Sequence, residues 1–337
     1  MKTKIIVVIC ISLLVIVLGI ALGSVYIPPG DVIQIIAHKL FGTDLSTVVK
    51  GTTVSILWDL RLPRALLAFI VGSALSVSGV IMQSVLRNPL ASSFTLGVSS
   101  GASLGASLVI LYGFTLPIVG ALTLPVMGFA FGFLTIILVI GLASRLDRQM
   151  KNLTIILVGM VFSLFVSALT TLMSVMNREH MQRLMFWQMG SFSMKDWEPV
   201  FILAPLVILG VFFILHYHRE LDIMTFGEEQ AKTMGVNLKS VKWILLVSAS
   251  VLTGSAVAFS GVIGFVDLVT PHIVRKVFGS PHRLVIPMAA MFGGAFMVAC
   301  DLVARTIVSP SELPVGVVTA LIGAPFFAYI YFSRRET

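Results

Sequence analysis

The stretch "RLPRALLAFIVGSALSVSGVIMQSVLRNPLA", residues 61–91, carries no charged residue between Arg64 and Arg87. A helix needs about 20 consecutive apolar residues to cross the roughly 30 Å hydrocarbon core of a bilayer. The uncharged run over 65–86 therefore predicts a membrane-spanning helix with an arginine beyond each end.

Similar runs recur along the chain, which is 57% hydrophobic and only 11% charged. About a quarter of the residues in an ordinary soluble domain are charged, so this composition indicates an integral membrane protein. The ~10-residue alternation of a membrane β-barrel is absent. We predict an all-α, polytopic membrane protein that forms one domain over residues 1–337. The ten predicted spans are 5–25, 65–86, 93–112, 117–143, 152–175, 198–216, 241–262, 264–278, 284–304 and 314–332.

The net charge of +8 does not predict nucleic-acid binding, because no clustered basic stripe with interleaved aromatic residues occurs. No Gly-Lys dipeptide occurs, so the chain has no phosphate-binding P-loop and no ATPase of its own. His216 and His218 alone make a poor metal site. Cys10 and Cys300 lie in apolar runs and predict small buried residues. We expect no catalytic residue and no bound metal.

The distribution of lysine and arginine predicts the orientation. An even number of spans places both termini on one side, and 15 of the 23 basic residues fall in segments on that side. The positive-inside rule then makes both termini cytoplasmic. Lys2 and Lys4 before the first apolar run imitate a signal peptide, but the length of that run favours a retained helix.

Three arginines, Arg61, Arg64 and Arg305, fall on the outer side against this bias, each at the end of a predicted span. Snorkelling of a long cationic side chain to the headgroup level would explain any one of them. Three from distant parts of the chain favour a common patch. Asp301 precedes Arg305 by one helical turn, so a local ion pair between them is also predicted.

An internal repeat is indicated by three matches at a constant offset of 182 residues. They pair Gly72-Ser73-Ala74 with Gly254-Ser255-Ala256, Ser78-Gly79-Val80-Ile81 with Ser260-Gly261-Val262-Ile263, and Asn88-Pro89 with Thr270-Pro271. An odd number of crossings separates the copies, so they have opposite orientations. Such inverted repeats, here spans 2–5 and 7–10, are typical of transporters.

Ionisable residues are scarce within the predicted spans, where Asp267 and Asp301 stand nearly alone. Ion-coupled carriers usually need acidic or histidine residues at membrane depth. This scarcity disfavours a secondary transporter, although Asp267 keeps that function as an alternative.

The largest cytoplasmic segment, "HYHRELDIMTFGEEQAKTMGVNLKSVK", covers residues 216–242. Its mixture of apolar and charged residues predicts one or two short amphipathic helices, broken at Gly227 and Gly235. Such a segment could lie flat on the membrane or could bind a cytoplasmic protein.

Six stretches in this order resemble the permease subunits of ABC importers in the iron-siderophore, haem and vitamin B12 uptake family. They are "LRLPRALLAFIVGSALSVSGVIMQSVLRNPLA", "LGVSSGASLGA", "FWQMGSF", "GEEQAKTMGVN", "GFVDLVTPHIVRKVFGSPHR" and "DLVARTIVSPSELPVGVVTALIGAPFFAYIYF". Together they extend over 60–332, nearly the whole chain.

The resemblance implies a ten-helix permease that pairs with a second, identical or homologous chain around a central pathway. It also implies two cytoplasmic ATPase subunits that carry ATP and Mg²⁺, an extracytoplasmic substrate-binding protein, and a location in the bacterial cytoplasmic membrane. The implied cargo is a ferric siderophore, with haem or vitamin B12 as alternatives. No cofactor is expected on this chain and no nucleic-acid partner.

The resemblance also assigns roles to residues. Arg61, Arg64 and Arg305 would receive acidic groups of the binding protein, and coupling helices at about 219–238 would contact the ATPases. The implied coupling residues are Leu221, Thr225, Gly227, Glu228, Glu229, Ala231 and Gly235. The implied gate and pathway residues are Asn88, Ser163, Ser167, Thr170 and Thr171. Asp267 departs from the family, which usually has glycine there.

Overall fold

A computed structural model describes residues 1–23, 27–43 and 50–333, and all regular secondary structure in those ranges is helical. The helices of the first half are α1 (Lys2–Ala21), α2 (Pro29–Phe41), α3 (Gly51–Ser55), α4 (Leu62–Val85), α5 (Val98–Tyr112), α6 (Thr123–Leu146), α7 (Asn152–Met176) and α8 (Met181–Gln188). Those of the second half are α9 (Trp197–His216), α10 (His218–Met224), α11 (Glu228–Thr233), α12 (Leu238–Ser260), α13 (Val266–Phe278), α14 (His282–Thr306) and α15 (Val315–Ser333).

Each of the ten predicted spans coincides with a helix, but the helices differ in length. Within the described ranges, seven segments are long and apolar enough to cross a membrane, and they contain α1, α4, α6, α7, α9, α12 and α14. The remaining predicted spans correspond to α5, α13 and α15, of which α5 has 15 residues and α13 has 13. The all-α prediction is confirmed, with long spans and shorter helices side by side.

The centre of the bundle is formed by α4, α12 and α14, whereas α1, α7 and α9 are largely exposed. Small residues allow the central backbones to approach closely, as is common between membrane helices. A side chain at Gly72 of α4 would collide with the backbone carbonyl of Gly293 in α14. The exposed apolar residues of the outer helices face the space that lipid or another chain would occupy. Cys300 is buried as expected, but Cys10 is exposed on α1.

The helix contacts of the two halves mirror each other. In the first half α4 is followed by α5, α6 and α7, and in the second α12 is followed by α13, α14 and α15. The contact of α4 with α14 corresponds to that of α12 with α6, and the contact of α4 with α13 corresponds to that of α12 with α5. The pairs α5–α7 and α13–α15 correspond in the same way. The first helix of each half thus packs on the second and third helices of the other half, as expected for a repeat whose two copies interlock.

The constant sequence offset holds only for part of this repeat. Gly72-Ser73-Ala74 and Gly254-Ser255-Ala256 both lie in helix interiors. Beyond them α12 ends at Ser260 while α4 continues to Val85, so the residues from Gly261 to Ile263 are not helical. Asn88-Pro89 lies after α4, but Thr270-Pro271 lies inside α13. The second and third sequence matches therefore do not align structurally.

The two short helices, α5 and α13, each follow a break in the chain. Both start after a residue with a left-handed backbone, Gly97 with φ 86° and Phe265 with φ 69°. The non-helical backbone between α12 and α13 is satisfied by the protein itself, because the Ser191 amide donates to the Ser260 carbonyl at 2.8 Å. Irregular backbone at membrane depth needs such partners.

Candidate transport and docking sites

The three outer arginines meet at one place in the structure. Arg64 lies in the first turn of α4, Arg61 ends the π-helical turn before it, and Arg305 lies in the last turn of α14. Together with Lys195 and Glu312 they line a cavity of about 370 Å³. The sequence prediction that these distant arginines share one patch is consistent with this geometry.

Arg61 and Arg305 hold the C-terminal end of α1. They are only 6% and 9% exposed. Nη1 of Arg61 donates to the carbonyls of Ala21 at 2.9 Å and Ile20 at 3.2 Å, and Nη2 of Arg305 donates to the carbonyl of Gly19. The last carbonyls of a helix lack partners within it and carry partial negative charge, which attracts cations. The two guanidinium groups thus join α1 to α4 and α14.

Arg64 makes the strongest ion pairs of the cluster. Its Nε and Nη2 donate to the two oxygens of Asp301 at 3.0 Å and 2.8 Å, and its Nη1 donates to Glu312 at 2.9 Å. Paired, charge-assisted hydrogen bonds of this kind are the stronger ones in proteins. By contrast, Nε of Arg305 lies 3.8 Å from Oδ2 of Asp301. The pair predicted from helical spacing is therefore weak, because Arg64 reaches Asp301 from the neighbouring helix.

The electrostatics of the cluster favour an acidic partner. Burial raises the pKa of the Glu312 carboxyl, but the hydrogen bond and charge of Arg64 outweigh burial, and the net pKa is below its ordinary value. Burial lowers the pKa of the Lys195 ammonium, and Asp196 opposes this. Four basic side chains in the cavity wall lie near three carboxylates, those of Asp196, Asp301 and Glu312, so the cluster keeps a small excess of positive charge.

A second cavity, of about 360 Å³, is lined mainly by hydroxyl groups. Its wall is formed by residues from α5, α7, α8 and the loops beside α5 and α13: Phe94, Ser99, Ser100, Ser103, Ser167, Thr170, Thr171, Gln188 and Val262. None of these side chains is charged. Oγ of Ser99 is buried and has no hydrogen-bond partner in the described part of the chain, so it is available to a ligand or water.

The local sequence of α5 explains why its serines face this cavity. Glycines at 97, 101 and 105 form the opposite face of the helix. Side chains at Gly101 and Gly105 would collide with the backbone carbonyls of Phe131 and Met127 in α6. The glycine face is therefore pressed against α6, and the serine face turns away from it.

The predicted pathway residues are only partly gathered at the cavity. Ser167, Thr170 and Thr171 line it, as the wall residues show. Ser163 does not line it. Its hydroxyl donates to the carbonyl of Gly159 at 2.8 Å and lies against Gly97. Asn88 lies after α4, where its Oδ1 accepts from the Leu90 amide at 2.9 Å and shapes the turn. Sequence reasoning missed the α5 serines, although their placement opposite a regular glycine spacing was a usable signal.

The segment 216–242, predicted to be cytoplasmic, forms two short helices, α10 and α11, separated by Gly227 with φ 129° and followed by Gly235 with φ 85°. This confirms the predicted helices and their breaks. The predicted coupling residues divide into two sets. Leu221, Gly227 and Ala231 are buried, whereas Thr225, Glu229 and Gly235 are exposed.

Glu228, the remaining predicted coupling residue, anchors α11 to the bundle. Its carboxylate pairs with Nζ of Lys242 at 2.8 Å. The same ammonium, whose side chain is only 1% exposed, also donates to the Met150 carbonyl at 2.9 Å and to Oδ1 of Asn152 at 2.8 Å. One buried lysine thus links α11, α12 and the connection between α6 and α7.

Two large apolar side chains stand out on the surface of the cytoplasmic segment. Phe226 is 70% exposed and Met234 is 63% exposed. Both flank α11, beside the exposed Thr225 and Gly235. Apolar side chains that a folded segment leaves exposed mark interaction surfaces when they cluster. Neither residue stands out in the sequence, because both lie in a segment that mixes apolar and charged residues.

Asp267 lies in the first turn of α13 and is only 1% exposed. Neither oxygen of its carboxylate has a side-chain partner among the residues described by the structure, and the carboxylate interacts only with the backbone amides of Asp267 itself and Leu268 at the start of the helix. Its backbone packs directly on α4, where a side chain at Gly79 would collide with the Asp267 carbonyl. A buried carboxyl group without a partner opposes folding, although the N-terminal end of a helix favours negative charge.

A mirrored helical repeat with broken helices around a polar cavity defines a polytopic membrane permease. A family model described as the FecCD transport family matches residues 10–333. The chain belongs to the FecCD transport family.

Several curated proteins are similar to this chain over most of its length. An uncharacterized ABC transporter permease protein, YvrB of Bacillus subtilis, is 42% identical over 95% of this chain and 91% of its own. The cobalamin import system permease protein BtuC of Halobacterium salinarum is 38% identical, covering 88% and 78%. The hemin transport system permease protein HmuU of Yersinia pestis is 36% identical, covering 86% and 88%. Like these permeases, the chain is a transport subunit and not an enzyme, and ATP hydrolysis belongs to separate subunits.

A solved structure confirms the fold. It is described as an inward-facing conformation of an ABC transporter assigned to the metal-chelate type, and it matches with a TM-score of 0.84 and 28% identity. The match covers 99% of this chain and 100% of the other.

Proposed function

We propose that the chain is the permease of a binding-protein-dependent ABC importer that moves a ferric siderophore by alternating access. The observation that carries this proposal is the family match over residues 10–333, joined to an uncharged, hydroxyl-lined cavity. Hydroxyl and amide groups suit a chelate whose outer surface carries oxygen atoms better than they suit the flat, apolar ring of haem. The relatives named for cobalamin and hemin import are 38% and 36% identical to this chain, so sequence similarity does not select the cargo.

A second permease chain completes the pathway in this proposal. Ser167 and Thr171 of the cavity wall are exposed on α7, on a helix whose other exposed residues are apolar. Hydroxyl groups at membrane depth are favoured next to a water-filled path or a neighbouring helix rather than lipid. A second identical or homologous copy placed against α7 would enclose the cavity between the two chains.

Two ATPase subunits, which carry ATP and Mg²⁺, bind the cytoplasmic segment in this proposal. The exposed Thr225, Glu229 and Gly235, together with Phe226 and Met234, form the contact surface. The buried Leu221, Gly227 and Ala231 and the pair of Glu228 with Lys242 hold that surface on the bundle. A binding surface on a firmly anchored helix can transmit movement, because the helix cannot shift alone.

The outer arginine cluster, Arg61, Arg64 and Arg305, receives acidic residues of an extracytoplasmic binding protein. The positive excess at the cavity supports this role, since interfacial charge favours encounter and orientation more than affinity. In this proposal the protein lies in the cytoplasmic membrane of a bacterial cell. The cluster faces outward, where the binding protein is, and both termini lie in the cytoplasm. This proposal assigns no metal or cofactor to the chain itself.

Reconstitution of the permease with its ATPases and binding protein in proteoliposomes tests the proposal. Radiolabelled ferric hydroxamate, ferric catecholate, haem and cobalamin are offered in parallel. We expect ATP-dependent uptake of a ferric siderophore and none without the ATPases. Uptake of haem or cobalamin alone would show that the proposed cargo is wrong. Uptake driven by an ion gradient without ATPases would show that the proposed mechanism is wrong.

A further inference from the structure

A chain of buried polar contacts starts at the cytoplasmic segment. Oδ1 of Asp222 in α10 accepts from the backbone amide of His282 at 2.9 Å and lies 2.6 Å from Nδ1 of the same residue. His282 is the first residue of α14, so the carboxylate caps that helix from outside. A carboxylate at a helix N-terminus satisfies orphan amides and is stabilised by the dipole. Asp222 therefore attaches α10 to the start of α14.

The second contact leads from α14 to α4. Nε2 of His282 lies 2.7 Å from Oγ of Ser84, and the histidine side chain is only 2% exposed. Oγ of Ser84 also accepts from Nη2 of Arg275 at 3.0 Å. Because the serine accepts from arginine, its own proton is free to be donated to Nε2, and Nδ1 then donates to Asp222. The direction of each hydrogen bond is thus consistent along the chain.

The third contact joins both ends of α13 to one residue of α4. Nη1 of Arg275, in the last turn of α13, donates to Oε1 of Gln83 at 2.5 Å. Nε2 of Gln83 donates in turn to the carbonyls of Asp267 at 3.2 Å and Leu268 at 3.3 Å, in the first turn of the same helix. Gln83 therefore bonds to both ends of α13.

The loop before α13 reaches the hydroxyl-lined cavity. Val262 lies in this non-helical connection and forms part of the cavity wall. The polar contacts thus extend from α10 through α14 and α4 to the first turn of α13, and only the covalent backbone connects that turn to the cavity wall at Val262. Packed, hydrogen-bonded elements of this kind can carry energetic coupling between distant sites.

We propose that Asp222, His282, Ser84, Arg275 and Gln83 form a polar linkage that carries displacement of α10 to α13 and so to the cavity wall at Val262. Asp222 and His282 are its positioning residues at the joint that a cytoplasmic partner moves. This inference rests on the proposed role of the cytoplasmic segment in binding ATPases.

The test measures movement at the cavity wall rather than cargo. In the assembled permease–ATPase complex with Cys10→Ser, Val262→Cys is labelled with a maleimide, with and without ATP and vanadate. We expect nucleotide to change the labelling rate, and we expect Asp222→Asn and Ser84→Ala to reduce that change about fivefold or more while the ATPases stay bound and active. Ser248→Ala is the matched control, because the Ser248 hydroxyl donates only to the Ile244 carbonyl of its own helix.

A double-mutant cycle keeps the inference testable if one variant is unstable. Residues that act through one linkage are not additive, so Asp222→Asn with His282→Gln should reduce the nucleotide response no further than Asp222→Asn alone. An unchanged response in Ser84→Ala, or additive losses in the cycle, overturns the linkage. Failure of the unmodified chain to bind ATPases overturns the proposed function instead, so the two failures are distinguishable.

Discussion

The outer arginine cluster and the cytoplasmic segment use charge in different ways. At the outer face, Arg61 and Arg305 are directed inward to the end of α1, and Arg64 is engaged with Asp301 and Glu312. In the segment 216–242, the charged contacts of Glu228 and Asp222 are also internal, but Phe226 and Met234 project from the surface. The arginine cluster therefore uses its charge mainly in contacts within the protein, whereas the segment 216–242 leaves apolar side chains exposed.

This difference bears on what each face can recognise. Surface charges act over distance and orient an approaching partner, while desolvated apolar side chains supply the larger share of binding energy. The outer cluster is suited to a partner that binds and leaves in each cycle. The inner segment is suited to a partner that stays bound while it moves.

Breaking the ion pair of Arg64 and Asp301 is the strongest test of the outer face. We expect Asp301→Ala to lower the free energy of unfolding by about 3–5 kcal/mol, because it leaves a buried guanidinium without its main partner. Thermal unfolding of the purified protein in detergent would measure this. Arg64→Leu with Asp301→Leu should recover most of the loss, and an Asp301→Ala protein as stable as the parent would show that the pair does not hold the helices.

The exposed apolar side chains of Phe226 and Met234 can be tested as an ATPase contact by giving them charge. We expect Phe226→Glu with Met234→Glu to weaken ATPase binding by about tenfold or more, or about 1.4 kcal/mol, without loss of folding, because both side chains are exposed. Affinity of detergent-solubilised permease for the purified ATPase would measure this. Ile118→Glu, at a residue 97% exposed in the connection between α5 and α6, is the control. Unchanged affinity would place the ATPase contact elsewhere.

Most of the fold could be predicted from the sequence, because apolar length and turn residues report directly on membrane-spanning helices. The short helices were harder. α12 ends at Ser260 because Gly261 has a φ of 75°, which interrupts the helix, and glycine after a helix is a local signal that the predicted span to 262 did not use. The hydrogen bond that satisfies the Ser260 carbonyl comes from Ser191, about 70 positions away, and no local pattern reports it. For the same reason, the sequence matches after Gly261 suggested an alignment that the structure does not follow.

The sites were predicted less completely than the fold. The clustering of Arg61, Arg64 and Arg305 followed from topology, but their partners did not, since Asp301 had an equally plausible neighbour one turn away in Arg305. The cavity residues on α7 were found by resemblance, while Ser99, Ser100 and Ser103 were missed. Which face of α5 lines the cavity depends on its packing against α6, which is a tertiary property.

Asp267 differs from Asp301, because its buried carboxyl group has no side-chain partner in the described structure, whereas Asp301 has two arginines nearby. We expect Asp267→Ala to raise the free energy of unfolding by about 1–3 kcal/mol, the usual cost of an unsatisfied buried polar group. Denaturation in detergent would measure this. ATP-driven uptake by Asp267→Asn should stay within about twofold of the parent, a difference below about 0.5 kcal/mol. Complete loss of uptake would revive an ion-coupled role for this residue.

The smallest expected effect concerns pH at the outer face. The pKa of Glu312 is lowered in the folded protein because the hydrogen bond and charge of Arg64 outweigh burial. A carboxyl group with a lowered folded pKa contributes stability above its unfolded pKa of about 4.3, and this contribution is lost as pH falls through the folded pKa. Acidification below about pH 5 should therefore lower the Tm of the parent protein slightly more than that of Glu312→Gln. Parallel Tm curves would show that Glu312 adds no pH-dependent stability, and the outer cluster would then depend on Asp301 alone.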